Sequence, residues 1–187
     1  MYEFAEKVKR GNALVFLTLE MMKCLPTNKG KRRFESFDEG KLINFSNEIS
    51  HNYHPHVAYH NDLHAADVAQ MCYLFITEGN LADMVDLTYL EASSMIVACM
   101  CHDVDHDGFT NAYHVSAESE RALRYHDKAV QENWHAALAI STMKREENDF
   151  MLSLSNDEKT LFRKRIVSMI LATDMAQHNA HVEEFNA

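Results

Sequence analysis

LEASSMIVACMC, residues 90–101, runs directly into HDVDHDGFTN, residues 102–111. The first stretch is almost continuously apolar over about three helical turns, so it reads as a helix buried on all sides. Such a helix needs other helices around it, and it delivers His102 and Asp103 into the interior. A buried carboxylate without a partner costs several kcal/mol, so Asp103 requires a cation. A metal bound by His102 and Asp103 together removes that penalty. The plainer alternative is a helix end with an internal His-Asp hydrogen bond.

The flanking sequence is helical in pattern on both sides. Upstream, residues 2–24 carry Phe4, Val8, Leu14, Val15, Leu17 and Leu19, with Gly11 as a weak point, and Pro26 and Gly30 mark a loop. Asp38 is a helix N-cap ahead of a stripe of Leu42, Phe45, Ile49 and Tyr53, which Pro55 stops. His60, His64, Val68, Met71 and Phe75 then fall on one helical face, which puts two imidazoles one turn apart and pointing inward. Asp62 and Asp67 lie nearby.

Downstream, a helix is expected near Ser116 with Glu118 and Glu120 in its first turn and Arg121 and Arg124 solvated. Another runs from Asp127 to Lys144, with Glu132 and His135 three apart on one face and Trp134 with Leu138 on another. Ser155 and Glu158 form a capping box ahead of a buried stripe of Phe162, Ile166, Met169, Ile170 and Thr173. No strand pattern, internal repeat or linker competes, and 5 Gly and 2 Pro in 187 residues are too few for a turn-rich β fold. The expected class is a single all-α domain.

Composition narrows the function. A net charge of −10 repels a nucleic-acid backbone, and the basic run Lys29–Arg33 is too short to reverse that. Cys24, Cys72, Cys99 and Cys101 lack CxxC spacing and read as reduced packing residues. No apolar run reaches the length of a membrane span, and residues 1–20 lack the layout of a signal peptide. The expectation is a soluble protein in a reducing, intracellular, cytoplasmic setting. Twelve His is the anomaly, and it directs attention to metal chemistry.

Four motifs occur in order: Y-H-N-x-x-H-A-x-D-V at Tyr59–Val68, H-D-x-x-H-x-G-x-x-N at His102–Asn111, E-N-x-H at Glu132–His135 and L-A-T-D-M at Leu171–Met175. Together they resemble the catalytic domain of class I 3′,5′-cyclic nucleotide phosphodiesterases, over its N-terminal half to two thirds. The resemblance implies an all-helical, compact HD-type domain with two divalent metals, zinc in the tighter site and magnesium or manganese in the looser one. His64, His102 and Asp103 match metal ligands, with Asp103 bridging. His106, Glu132 and Thr173 match residues that hold metal-bound waters. Tyr59, Asn111, Asn133 and Met175 match positions lining or bracing the substrate pocket, and His60 matches the proton donor.

The implied substrate is a cyclic nucleotide, cAMP or cGMP, opened to a 5′-monophosphate. Paired cations lower the pKa of a water, and a nearby imidazole can protonate the departing 3′ oxygen. Regulatory domains and homodimerisation are compatible with the family. This sequence departs from the pattern at Trp134, usually His, and Asp107, usually Pro. The family's further Asp ligand and its purine-holding Gln and aromatic clamp would fall beyond Ala187, so residues 1–187 are expected to be a partial catalytic domain. Asp174 is not expected to replace the missing ligand. Two readings compete: an HD-type nucleotide phosphohydrolase, for which H…HD suffices, and a non-catalytic truncated or regulatory module.

Overall fold

The structure, a computed structural model, describes residues 12–26 and 34–186. Ten α-helices follow one another among the described residues, with no strand between them. They are α1 (Asn12–Cys24), α2 (Glu39–His51), α3 (Asp62–Thr77), α4 (Leu81–Met84) and α5 (Tyr89–Cys101). After these come α6 (Asn111–Ser116), α7 (Glu120–Tyr125), α8 (Val130–Met143), α9 (Asn156–Leu171) and α10 (His178–Phe185). Phe4, Val8, Gly11, Gly30 and the basic run Lys29–Arg33 lie outside the described residues.

The all-α expectation holds, and α5 is its axle. Thr88 and Glu91 cap α5 reciprocally, each side chain taking up the other's free N–H. Beyond that turn the helix is largely buried, Ile96, Val97 and Met100 completely and only Met95 and Cys99 in part. Each such side chain contributes about 1.5–3 kcal/mol through the apolar area it withdraws from water. The helix packs against α9, α3, α1 and α8. Its polar residues do not interrupt this, because Ser93 and Ser94 return their hydroxyls to the carbonyls of Tyr89 and Glu91. Tyr53, last of the α2 stripe, donates its hydroxyl to the Met100 carbonyl at 2.9 Å, which ties the end of α2 to the end of α5. Phe37, Phe45, Phe150 and Phe162 close the far end of the core, with Phe150 5.3 Å from Phe45 and 5.4 Å from Phe37 between ring centres.

Several sequence expectations need correction. The face His60–Phe75 is not the buried stripe: Met71 and Phe75 are exposed, and α3 packs through Ala65, Ala66, Ala69 and Ile76. Small residues win here because they let α3 lie close against α5. His60 also precedes the helix, which begins at Asp62 because the Asn61 side chain accepts from the Leu63 and His64 N–H groups. The segment around Ser116 is two short helices, the second capped by Ser119. α8 starts at Val130 rather than Asp127, because His126, Asp127 and Ala129 are all left-handed. Arg121 is not a solvated charge: its side chain is 14% exposed and paired with Asp105. Thr173 lies past the end of α9 and is exposed, so it does not extend the buried stripe of Phe162, Ile166 and Ile170.

Asp38 and Ser155 act as the N-caps expected of them, the latter in a full capping box with Glu158. All four cysteines are free, with Cys101 buried and Cys24 exposed. No helix among the described residues is long and apolar enough to cross a membrane.

Candidate active site

A cavity of about 570 Å³ opens where the C-terminal end of α5 meets the start of α3, one face of α8 and the turn after α9. Its floor is set by two helix ends. The Asn61 cap orients the first turn of α3 and with it His64, while α5 ends at His102, whose ring is turned by a hydrogen bond from Nδ1 to the Cys99 carbonyl at 2.8 Å. That bond fixes a proton on Nδ1 and aims Nε2 into the cavity, 3.1 Å from Asp103 Oδ2. His64 Nε2 approaches the same oxygen at 3.5 Å. Ligand atoms of His64, His102 and Asp103 all lie within 4.8 Å of one another, so the spacing of motifs far apart in sequence does converge.

Three further imidazoles stack beside this group. His106 lies flat against His60, ring centres 4.0 Å apart at 17°, and 5.7 Å from His135 on its other side. His106 Nδ1 accepts the Gly108 N–H at 3.0 Å, which leaves its Nε2–H as a donor. His135 is the opposite tautomer, giving Nδ1–H to the Val104 carbonyl at 2.6 Å. Its Nε2 is buried with no hydrogen-bond partner, 4.0 Å from Asp103 Oδ1. An orphaned buried acceptor costs about 1–3 kcal/mol, which is the signature of a place where a water or cation belongs.

Electrostatics agree with that reading. Burial, reinforced by the charge on His60, pulls His106 down to about 4, and burial pulls His135 down to about 4. Burial also lowers His64, with His102 adding to the effect. Burial alone would raise Asp103, but the hydrogen bond and charge of His102 outweigh it and hold the carboxyl well below the usual range. His102 moves up because Asp103 more than offsets its burial. One anionic carboxylate beside the ring nitrogens of His64 and His102 is a donor set that a divalent cation could take over.

The walls are less uniform. On one side Asn111 donates to Glu132 Oε2 at 2.9 Å, and burial raises the Glu132 carboxyl. On the other, Thr173, Asp174 and Met175 border the opening. Thr173 gives its hydroxyl to the Ile170 carbonyl, and Asp174 caps the following turn by accepting from the Ala176 N–H. Tyr59 stands outside the cavity lining, 64% exposed, with its ring 4.4 Å from that of His64. Asn133 is turned away and donates to the carbonyls of Lys128 and Ala129. Sequence reading missed Gln131 and Phe109, which also line the cavity, and the unpaired nitrogen of His135. The E-N-x-H spacing contained a signal for His135, since Glu132 and His135 lie one turn apart. Nothing in the sequence singled out Gln131 or Phe109.

The fold is an all-helical domain that brings two His and one Asp together under a cavity, a group that could hold a metal ion. Residues 59–187 match the 3′5′-cyclic nucleotide phosphodiesterase family, and the chain belongs to it. It is 38% identical over 145 residues to the 3′,5′-cyclic-nucleotide phosphodiesterase regA of Dictyostelium discoideum, covering 78% of this chain and 18% of that protein. Against the 3′,5′-cyclic-AMP phosphodiesterase 4C of Rattus norvegicus it is 39% identical over 137 residues, covering 73% of this chain and 25% of the relative. The crystal structure of the phosphodiesterase domain of the RhoPDE fusion protein from the choanoflagellate Salpingoeca rosetta superposes with a TM-score of 0.83 at 29% identity. That match covers 95% of this chain and 54% of the solved one, so the chain spans about half of that domain.

Proposed function

We propose that this chain carries the metal-binding and proton-donating side of a 3′,5′-cyclic nucleotide phosphodiesterase acting on cAMP, cGMP or both. The observation that carries the reading is the convergence of His64, His102 and Asp103 beneath a cavity that His60 also faces. His64, His102 and Asp103 would hold a divalent ion, zinc by the preference of imidazole, with open positions left for water or substrate. Asp103 would also help hold a further ion, magnesium or manganese, with His106, Glu132 and Thr173 holding water beside it. Bound there, divalent ions supply an activated water and neutralise charge that builds on the phosphoryl oxygens.

The chain's own residues do the rest. Attack of water oxygen on phosphorus breaks the bond to the 3′ oxygen, which leaves as an alkoxide needing a proton. His60 is the group to supply it, stacked on His106 at the cavity wall. The Nε2–H of His106 and the amide of Asn111 orient oxygens on the cavity floor, Met175 borders the nucleotide, and Tyr59 braces His64 from outside. Asn133 braces the start of α8 through its bonds to Lys128 and Ala129.

The test is to load the protein with Zn²⁺ and Mg²⁺ and offer cAMP, cGMP and 5′-AMP in turn. Formation of 5′-monophosphate from a cyclic nucleotide, abolished by EDTA, is expected. Phosphate release from AMP with no attack on either cyclic nucleotide would replace this reading with a monoester hydrolase. His60→Ala is expected to lower turnover by about 100-fold or more while metal content is retained.

A further inference from the structure

The donors Asp103 and His106 sit on a loop without regular structure, and the loop is under conformational strain. Asp105 holds φ at 61°, in the left-handed region that costs an L residue about 1 kcal/mol or more. Something outside the loop has to hold it there. The Asp105 carboxylate is met from three directions: His54 Nε2 at 2.6 Å, Arg121 Nη2 at 2.8 Å and Trp134 Nε1 at 2.7 Å. Arg121 Nη1 adds bonds to the Asp105 carbonyl at 3.1 Å and to Gln131 Oε1 at 2.7 Å. The guanidinium lies over the Trp134 ring, 4.5 Å from its centre, so its plane is fixed as well as its charge. Gln131 in turn donates to Asp107 Oδ1 at 2.8 Å and to the Phe109 carbonyl at 3.0 Å.

Arg121, Gln131 and Trp134 touch none of His64, His102 or Asp103, yet they grip the loop on both sides of His106. We infer that Arg121, with Trp134 and Gln131, is a positioning clamp that sets Asp103 and His106 against α3 and so tunes the affinity of the site for a divalent cation. The inference rests on the metal-dependent reading of the site. It also explains how Asp107 is accommodated: Gln131 and His114, the latter 3.2 Å from Asp107 Oδ2, hold that residue in place of any rigidity of its own backbone.

A buried charge that loses its partner does more harm than the loss of both, and this supplies the diagnostic. Arg121→Met takes the guanidinium from Asp105 and leaves its carboxylate, in a strained conformation, to His54 and Trp134 alone. Adding Asp105→Asn removes the charge and keeps a residue tolerant of the left-handed region. Co²⁺ alone, followed by its visible absorption, reports the site without any turnover. Arg121→Met is expected to weaken Co²⁺ binding by about 10–100-fold, and the double variant to recover most of that loss. Amide hydrogen exchange should show the Val104–Gly108 segment losing protection in Arg121→Met ahead of the rest of the protein. Trp134→Phe, which keeps an aromatic face but loses the N–H bond to Asp105 and part of the ring under Arg121, should move both readouts in the same direction by less.

Unchanged Co²⁺ affinity in Arg121→Met, or a double variant no better than the single one, would overturn the clamp and reduce Arg121 to an anchor for α7. If the unaltered protein takes up no Co²⁺, the metal reading itself fails. Exchange at Val104–Gly108 then still decides the clamp, for or against. Should Arg121→Met not fold, the same exchange measurement on Trp134→Phe decides it.

Discussion

The floor of the cavity and its outer wall are built in opposite ways. Along the floor, from His102 to Asn111, groups are held by atoms of distant segments: the Val104 carbonyl by His135, and the Asp105 carboxylate by His54, Arg121 and Trp134. Along the wall, from Thr173 to Phe185, hydrogen bonds run to near neighbours in sequence, and Met175 and Phe185 are 74% and 90% exposed. A segment with dense tertiary bonds can keep donor atoms within tenths of an ångström, which a cation demands. One with only local bonds can shift with whatever it contacts. On the proposed function, the rigid floor suits the holding of an ion and the looser wall the meeting of a substrate.

The largest test of that division is Asp103→Ala against Asp174→Ala. The first should weaken Zn²⁺ or Co²⁺ binding by more than about 100-fold in a calorimetric titration, because removing a donor exceeds the usual cost of disturbing its supports. The second should leave affinity within about threefold. Equal losses would make the wall part of the metal centre and erase the contrast.

Stability gives the next comparison. Ile96→Ala, fully buried in the helix that carries the floor, should cost about 2–5 kcal/mol in urea unfolding. Val182→Ala, 44% exposed on α10, should stay within about 0.5 kcal/mol. A large cost at Val182 would show that the wall is as firmly integrated as the floor.

Met175→Ala sharpens the contrast further. It is expected to raise KM for a cyclic nucleotide about fivefold, equivalent to roughly 1 kcal/mol of contact, with Co²⁺ affinity unchanged. A fall in Co²⁺ affinity would tie the wall to the floor.

The smallest expected effect is on pH. Burial would raise Asp107, but bonds from the Phe109 N–H and Gln131, with the charge of Arg121, hold its carboxyl below the usual range. A depressed native pKa contributes stability that is complete above the ordinary carboxylate range and is lost as pH falls through the native value. Amide exchange around Phe109 should therefore accelerate below about pH 4, and Asp107→Asn should flatten that dependence. An unaltered acid profile in Asp107→Asn would place the sensitivity elsewhere.

Most of the helices were legible because apolar spacing and capping residues act within a few positions. Asp38, Ser155 and the continuous apolar run of α5 are examples. The face of α3 was misread because large apolar side chains were taken as the buried ones. Ala65, Ala66 and Ala69 are buried instead, since close approach of two helix backbones favours small side chains. His64, His102 and Asp103 were legible as candidates from residue type and spacing. Arg121 was not, because an arginine on a short helix looks solvated until the loop carrying Asp105 folds back onto it.

By itself the sequence determined an all-helical chain, the family it belongs to and the candidate metal-binding residues, because periodicity, caps and short motifs are local properties. Only the tertiary structure decided which imidazole carries its proton on which nitrogen, that His135 keeps an unpaired one, and that Arg121 and Trp134 hold the loop. The bonds of His135, Arg121 and Trp134 reach partners 10 to 31 residues away along the chain. Their directions are set only once α5 is surrounded.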